Sequence, residues 1–288
     1  MSTKNKHIPC LITIFGATGD LSHRKLFPSI FHLYQQDNLD EHIAIIGIGR
    51  RDITNDDFRN QVKSSIQKHV KDTNKIDAFM EHVFYHRHDV SNEESYQELL
   101  DFSNELDSQF ELKGNRLFYL AMAPQFFGVI SDYLKSSGLT DTKGFKRLVI
   151  EKPFGSDLKS AEALNNQIRK SFKEEEIYRI DHYLGKDMVQ NIEVLRFANA
   201  MFEPLWNNKY ISNIQVTSSE ILGVEDRGGY YESSGALKDM VQNHMLQMVA
   251  LLAMEAPISL NSEDIRAEKV KVLKSLRHFQ SEHVKKYF

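Results

Sequence analysis

The chain has 288 residues, 41% of them apolar and 26% charged, which suffices for one large core or two ordinary ones and excludes a disordered or collagen-like chain. Its 36 basic and 40 acidic residues are interleaved and leave a formal net charge of −4, so no polybasic block is present to attract nucleic acid or an anionic membrane. Cys10, the single cysteine, cannot form a disulfide within the chain, residues 1–7 lack an apolar signal segment, and no apolar run approaches the roughly 20 residues needed to span a bilayer. A cytoplasmic location is therefore expected, with neither nucleic acid nor membrane as a partner.

Short β-branched runs alternate with amphipathic stretches in the first 181 residues, the pattern of parallel strands joined by crossover helices. Strands are expected at 11–15, 43–48, 83–86, 116–121, 147–151 and 177–181. Their near-continuous apolarity predicts burial on both faces of the sheet.

The first strand runs into Gly16-Ala17-Thr18-Gly19-Asp20-Leu21, ahead of a helix expected over 23–34. Glycines at such a turn let the backbone approach a pyrophosphate, whose charge then faces the amides of a helix N-terminus. The spacing is not the full G-x-G-x-x-G, so an ordinary tight βα turn is the alternative. The second strand ends in Gly47-Ile48-Gly49-Arg50-Arg51, where NAD-preferring folds carry an acidic residue for the ribose hydroxyl. Arginine there suits a 2′-phosphate, because its guanidinium is always charged and pairs in bidentate fashion. A solvated strand end is the other reading, and Asp52 follows directly. NADP is the expected cofactor, with NAD as the alternative.

The fifth strand closes on Glu151-Lys152-Pro153-Phe154-Gly155, at the sheet edge where open α/β sheets bind ligands. Pro153 restricts Lys152 to an extended backbone and so aims its side chain at an anionic or hydroxylated ligand; a plain strand-to-helix turn is the alternative. The same E-K-P occurs in other sugar oxidoreductases. The sixth strand leads into Arg179-Ile180-Asp181-His182-Tyr183-Leu184-Gly185-Lys186. Alternation along a strand puts Asp181 and His182 on opposite faces, which gives them different jobs. His182, Tyr183 and Lys186 bring two cationic groups and a hydroxyl to one loop, a cradle for a phosphate dianion, while Asp181 is left to orient a base. The bland reading is a helix N-cap aspartate among solvated neighbours.

After residue 181 the pattern changes to a helix over 186–197, a strand over 211–222 and a long helix over 235–255, so a boundary is expected there. Residues 1–181 are read as an NADP-binding domain and 182–288 as the start of a substrate-binding α+β domain. On the long helix Leu237, Val241, His244, Met248 and Leu251 recur at helical spacing, which places His244 inside the apolar stripe. It is either a core histidine or a base whose tautomer Asp181 fixes.

G-A-T-G-D-L followed by Arg24-Lys25-Leu26, then E-K-P-F-G, R-I-D-H-Y-L-G-K, and Glu220 with Asp239 to His244, resemble successive signatures of the glucose-6-phosphate dehydrogenase family. The similarity runs through essentially the whole chain. It implies a Rossmann-like dinucleotide-binding domain followed by an incomplete α+β domain, and hydride transfer from C1 of glucose 6-phosphate to NADP, the first step of the pentose phosphate pathway. It further implies His244 as general base with Asp181 as its partner, and His182, Tyr183 and Lys186 at the sugar phosphate. Lys25, Lys152, Glu220 and Asp239 fall near the sugar, and Thr18, Arg50 and Arg51 at the 2′-phosphate. Gly16, Gly19, Asp20 and Leu21 complete the cofactor turn, with Lys152 beside it.

The resemblance departs in length, since family members continue well beyond Phe288 and place a further phosphate-binding lysine there. A homo-oligomer is expected of the complete protein. No metal is assigned, because none of the 12 histidines forms an H-x-x-x-H with a third ligand in a recognisable arrangement. Two rival readings are another E-K-P sugar oxidoreductase, against which R-I-D-H-Y-L-G-K speaks, and a non-catalytic NADP-binding remnant.

Overall fold

The structure is a computed structural model and describes residues 7–219, 223, 228–277 and 280–287. The chain divides into two compact units, Met1–Ile180 and Asp181–Phe288.

The first unit is built on six strands, β1 (Cys10–Phe15), β2 (Ile43–Gly49), β3 (Val83–Arg87), β4 (Arg116–Leu120), β5 (Lys146–Ile150) and β6 (Ile177–Arg179). All pair in parallel in the order β3-β2-β1-β4-β5-β6, with Cys10 opposite Ile43, Leu11 opposite Arg116 and Leu148 opposite Ile177. This is the Rossmann order, whose direction reverses between β1 and β4.

Helices cover both faces. Alternate residues of one strand point to opposite sides, so both sets must be apolar, and every residue of β2 is buried. On one face Phe15, Ile46, Phe118 and Leu148 pack with Leu99 and Leu106 of α4 (Ser95–Phe110), Phe127 and Ile130 of α5 (Phe127–Ser136) and Ile168 of α6 (Leu158–Ile168). On the other, Ile14, Ile45 and Val83 meet Phe27 and Phe31 of α1 (Phe27–Gln35), Phe58 and Val62 of α2 (Asn55–His69) and Phe79 of α3 (Ile76–Met80). Each such side chain contributes roughly 1.5 to 3 kcal/mol by leaving water. The α2 start is fixed by a capping box in which Thr54 accepts from the Asp57 amide and Asp57 accepts back from Thr54.

The second unit is helical among its described residues. It comprises α7 (Asp187–Phe197), α8 (Gly228–Ala236), a π-helical segment Leu237–Met245, α9 (Leu246–Ala253), α10 (Ser262–Ser275) and α11 (Ser281–Tyr287). Its core gathers Tyr183, Val189, Met248, Leu251 and Met254, with Ile265 and Val272 of α10 against it. Arg196 Nη1 donates to the Leu251 carbonyl at 2.6 Å and Trp206 Nε1 to the Leu252 carbonyl at 2.8 Å, which satisfies two carbonyls at the end of α9.

Three expectations are corrected here. Residues 211–219 form no strand, because a strand needs a neighbour to complete its ladder and none pairs with them among the described residues; 220–222 lie outside those residues. The helix expected over 235–255 is broken at Gly235 (φ 68°, ψ 166°) and wound as a π-helix up to Met245. That winding spoils the expected stripe: Met248 and Leu251 are buried with His244, but Leu237 is 68% and Val241 37% exposed, since i→i+5 turns no longer stack residues four apart. Finally β6 stops at Arg179, the Ile180 amide makes a bond to the Ile150 carbonyl, and Asp181 enters a turn instead of taking a place on the pleat.

Candidate active site

The sheet reversal places the Gly16–Leu21 turn at the carboxyl end of β1. Gly16 has φ +85°, and a β-carbon there would lie 2.4 Å from the Ala121 carbonyl oxygen, so the turn as folded requires glycine. The Gly16 and Ala17 amides both donate to the Ile48 carbonyl, and Ser22 Oγ donates to the Gly16 carbonyl at 3.0 Å, which ties the turn to the end of β2 and to the π-helical turn Ser22–Leu26. Gly19 follows by donating its own amide to Gly16, and Asp20, exposed, pairs with Arg24 at 3.4 Å. Leu21 precedes the π-helical turn and Lys25 is exposed on it.

Thr18 meets the β2 end directly, because a β-carbon built on Gly49 would come 3.0 Å from Thr18 Cγ2 and 3.3 Å from Thr18 Oγ1. Arg50 and Arg51 follow Gly49 and are both exposed. Tyr85 Oη donates to the Arg51 carbonyl at 2.7 Å, so the backbone carrying these arginines is held. Burial, then the Arg51 charge, pushes the His23 imidazole below its usual pKa. Asp52, which follows Arg51, is turned to Arg87 at 3.4 Å. Arg87 stands opposite Gly49 in the β2–β3 register and adds a third guanidinium to this corner. Sequence reading missed it, although a basic residue closing a strand beside Gly49-Arg50-Arg51 is a usable signal. Hydroxyl and guanidinium donors at a glycine turn are chemically suited to a nucleotide phosphate.

At the β5 end, Tyr119 Oη donates to Glu151 Oε1 at 2.5 Å, and burial, then Glu151, raises the phenol's pKa. Lys152 follows, half-buried, and its bond to Pro153 is cis. Gly155, at φ +78°, leads on to α6, where Asp157 accepts from the Ser160 amide.

In the second unit, Asp181 organises the chemistry. Its Oδ1 accepts the Tyr183 amide at 3.0 Å and lies 2.6 Å from His244 Nδ1. His244 is fully buried, and its ring stacks on Tyr183 with centroids 4.2 Å apart and planes 14° from parallel. His182 meets the His244 ring edge-on at 4.8 Å, and Lys186 Nζ sits 3.6 Å over the Tyr183 ring. Tyr183 Oη is 3.1 Å from Ser218 Oγ. The expected cluster Asp181, His182, Tyr183, Lys186 and His244 is thus one assembly. Asp239 is buried on the π-helical segment; Glu220 lies outside the described residues.

A carboxylate at His244 Nδ1 fixes the tautomer with the proton on that nitrogen and leaves Nε2 as the acceptor, the arrangement of a general base. Asp181, His182 and His244 also each offer a ligand atom within 4.8 Å of the others, so the donor set suits a divalent ion as well.

A parallel sheet in the order β3-β2-β1-β4-β5-β6, with a glycine turn at the carboxyl end of β1, defines the Rossmann-like class of dinucleotide-binding domains. The family model described as "Glucose-6-phosphate dehydrogenase, NAD binding domain" matches residues 13–191, and "Glucose-6-phosphate dehydrogenase, C-terminal domain" matches 193–288. The chain belongs to the glucose-6-phosphate dehydrogenase family. It is 61% identical over 284 residues to glucose-6-phosphate 1-dehydrogenase of Bacillus subtilis, covering 99% of this chain and 58% of that protein. It is 48% identical over 281 residues to the enzyme of Leuconostoc mesenteroides, at 98% and 58%. A solved structure described as glucose-6-phosphate dehydrogenase in complex with its substrate glucose-6-phosphate superposes with TM-score 0.88 at 40% identity, covering 96% of this chain and 57% of that one. The chain therefore spans a little over half the length of the relatives it matches. Among the described residues no helix is long and apolar enough to cross a membrane.

Proposed function

We propose that the protein oxidises C1 of glucose 6-phosphate, passing hydride to NADP and giving 6-phosphoglucono-lactone, the first step of the pentose phosphate pathway. The observation that carries this reading is His244, buried, with Asp181 at 2.6 Å on Nδ1 and His182, Tyr183 and Lys186 around it. Residues 1–181 are the cofactor domain in this reading and 182–288 the start of the substrate-binding part.

A bound nicotinamide dinucleotide supplies the hydride acceptor. Thr18, Arg50 and Arg51 would hold its 2′-phosphate, Gly16, Gly19, Asp20 and Leu21 would form the turn that takes its pyrophosphate, and Lys152 would add a cation to the same site. His182, Tyr183 and Lys186 grip the sugar phosphate, while Lys25, Lys152, Glu220 and Asp239 take the sugar hydroxyls and orient the ring. As the C1 hydrogen leaves with its electron pair, His244 Nε2 removes the C1 hydroxyl proton, and the carbon–oxygen single bond becomes the lactone carbonyl. Asp181 stabilises the imidazolium that forms. No step of this reaction requires a metal. A cytoplasmic location and a homo-oligomeric state belong to the same proposal.

The test is to follow NADPH formation from glucose 6-phosphate, alongside glucose, in the purified protein and in His244→Asn. Oxidation of the phosphorylated sugar that collapses in the variant is expected; oxidation that persists in the variant overturns the assignment of the base.

A further inference from the structure

We propose that Arg87 sets the dinucleotide preference of the corner at the end of β2 by holding the Asp52 carboxylate away from the nucleotide, and that Asp52, once released, turns the corner toward NAD. The inference rests on the reading of this corner as the 2′-phosphate site and adds to it the pair that controls it.

The geometry lies within the first unit. In the parallel β2–β3 pairing Gly49 stands opposite Arg87, and alternation along β3 puts Tyr85 and Arg87 on one face. Tyr85 Oη donates to the Arg51 carbonyl at 2.7 Å, and a β-carbon built on Gly49 would come 2.9 Å from the same Oη and 3.3 Å from Thr18 Oγ1. The face of β3 that carries Arg87 is therefore the one that meets Thr18 and the arginine segment.

That segment is pinned at both ends. The His88 amide donates to the Gly49 carbonyl at 2.9 Å, and the Tyr85 amide to Asn55 Oδ1 at 2.8 Å, so residues 50–54 bridge two points fixed on β3. Asp52 lies in the middle of this bridge, its Oδ2 3.4 Å from Arg87 Nη1.

Both side chains are largely exposed, Asp52 at 85% and Arg87 at 64%, and an exposed ion pair contributes little to folding. Its effect is on the field at the corner. A free carboxylate directly after two guanidiniums cancels much of one of them for an anion bound there, whereas a carboxylate paired with a third guanidinium does not. A carboxylate at the end of this strand is also the group with which NAD-binding folds accept the ribose 2′-hydroxyl. The acid suited to NAD is thus carried by the chain, and Arg87 occupies it.

The experiment measures dissociation constants for NADP and for NAD by calorimetry at low salt, in the parent protein and in Arg87→Met, Asp52→Asn and the double variant. Arg87→Met is expected to weaken NADP by about 5- to 30-fold, through one lost cation and one freed anion within a Debye length, and to bind NAD at least as tightly as the parent. Asp52→Asn alone is expected to change NADP affinity by no more than about two-fold, and in the double variant to recover several-fold of the Arg87→Met loss. An NADP affinity equally low in Arg87→Met and in the double variant overturns the proposal, because Asp52 then plays no part, as does equal weakening of NADP and NAD. A parent that prefers NADP, with Arg87→Met unchanged, overturns this inference and leaves the 2′-phosphate reading in place. A parent that binds NAD as tightly as NADP overturns that reading and the inference with it.

Discussion

Asp181 accepts the Tyr183 amide and faces His244 Nδ1 through one and the same oxygen, at 3.0 Å and 2.6 Å. The His244 ring is therefore aimed by a carboxylate that the local backbone itself holds, and it has little freedom to change tautomer.

Asp181→Asn should expose that dependence. An amide can offer His244 Nδ1 a hydrogen where the carboxylate offered an oxygen, which favours the wrong tautomer. Turnover is expected to fall by about 100- to 10,000-fold, the range of a positioned general base. NADP binding, measured by calorimetry on the same sample, should not change.

Cofactor choice should sit in the corner formed by Arg50, Arg51 and Arg87. Arg50→Ala is expected to weaken NADP by roughly 1.5 to 3 kcal/mol, as the loss of a charge-assisted pair, and to leave NAD nearly untouched. Parallel titrations with the two dinucleotides check this. Equal weakening of both would remove Arg50 from the 2′-phosphate.

Much of this was legible in the sequence because the first unit obeys local rules. Parallel strands covered on both faces must read as unbroken apolar runs, and 43–48 does so; a glycine turn after the first such run fixes the ligand edge of the sheet. The second unit obeyed them less. Its π-helical segment carries no period that distinguishes it from an α-helix, so Leu237 and Val241 were expected inside and stand outside. Residues 211–219 have the composition of a strand, but composition cannot supply the partner a ladder needs. The Asp181–His244 contact joins residues 63 apart, and no local pattern encodes a distance of that kind; motif resemblance, not spacing, brought the pair together.

Gly16→Ala should test the cofactor turn. The added methyl meets the Ala121 carbonyl and the backbone stands at φ +85°, so a loss of about 1 to 3 kcal/mol of stability is expected. Urea unfolding checks it, and Gly185→Ala, whose added carbon meets nothing closer than 3.6 Å, is the control.

His88 should make the first unit acid-sensitive. It is 2% exposed, packed on Phe15 and Tyr96, and burial, then His86, lowers its pKa from 6.5 to about 4. Between those values the unfolded chain binds a proton that the folded chain refuses, so stability falls as pH drops through this window. The slope reaches at most about 1.4 kcal/mol per pH unit from this group. Above the window both states are neutral and His88 contributes no pH dependence. Urea midpoints measured at several pH values should flatten across this window in His88→Phe, which keeps a ring and removes the proton. An unchanged slope would show that another group titrates.

The most direct test of the central claim compares His244→Asn with His182→Asn, measuring kcat and the glucose 6-phosphate dissociation constant for each. A group acting mainly in the transition state lowers kcat and leaves binding alone, whereas a group in the phosphate cradle weakens binding. His244→Asn is predicted to lose about 100- to 10,000-fold in kcat with substrate affinity within a few-fold of the parent, and His182→Asn to lose affinity first. Retained turnover in His244→Asn, or the reverse pattern between the two histidines, would contradict the account.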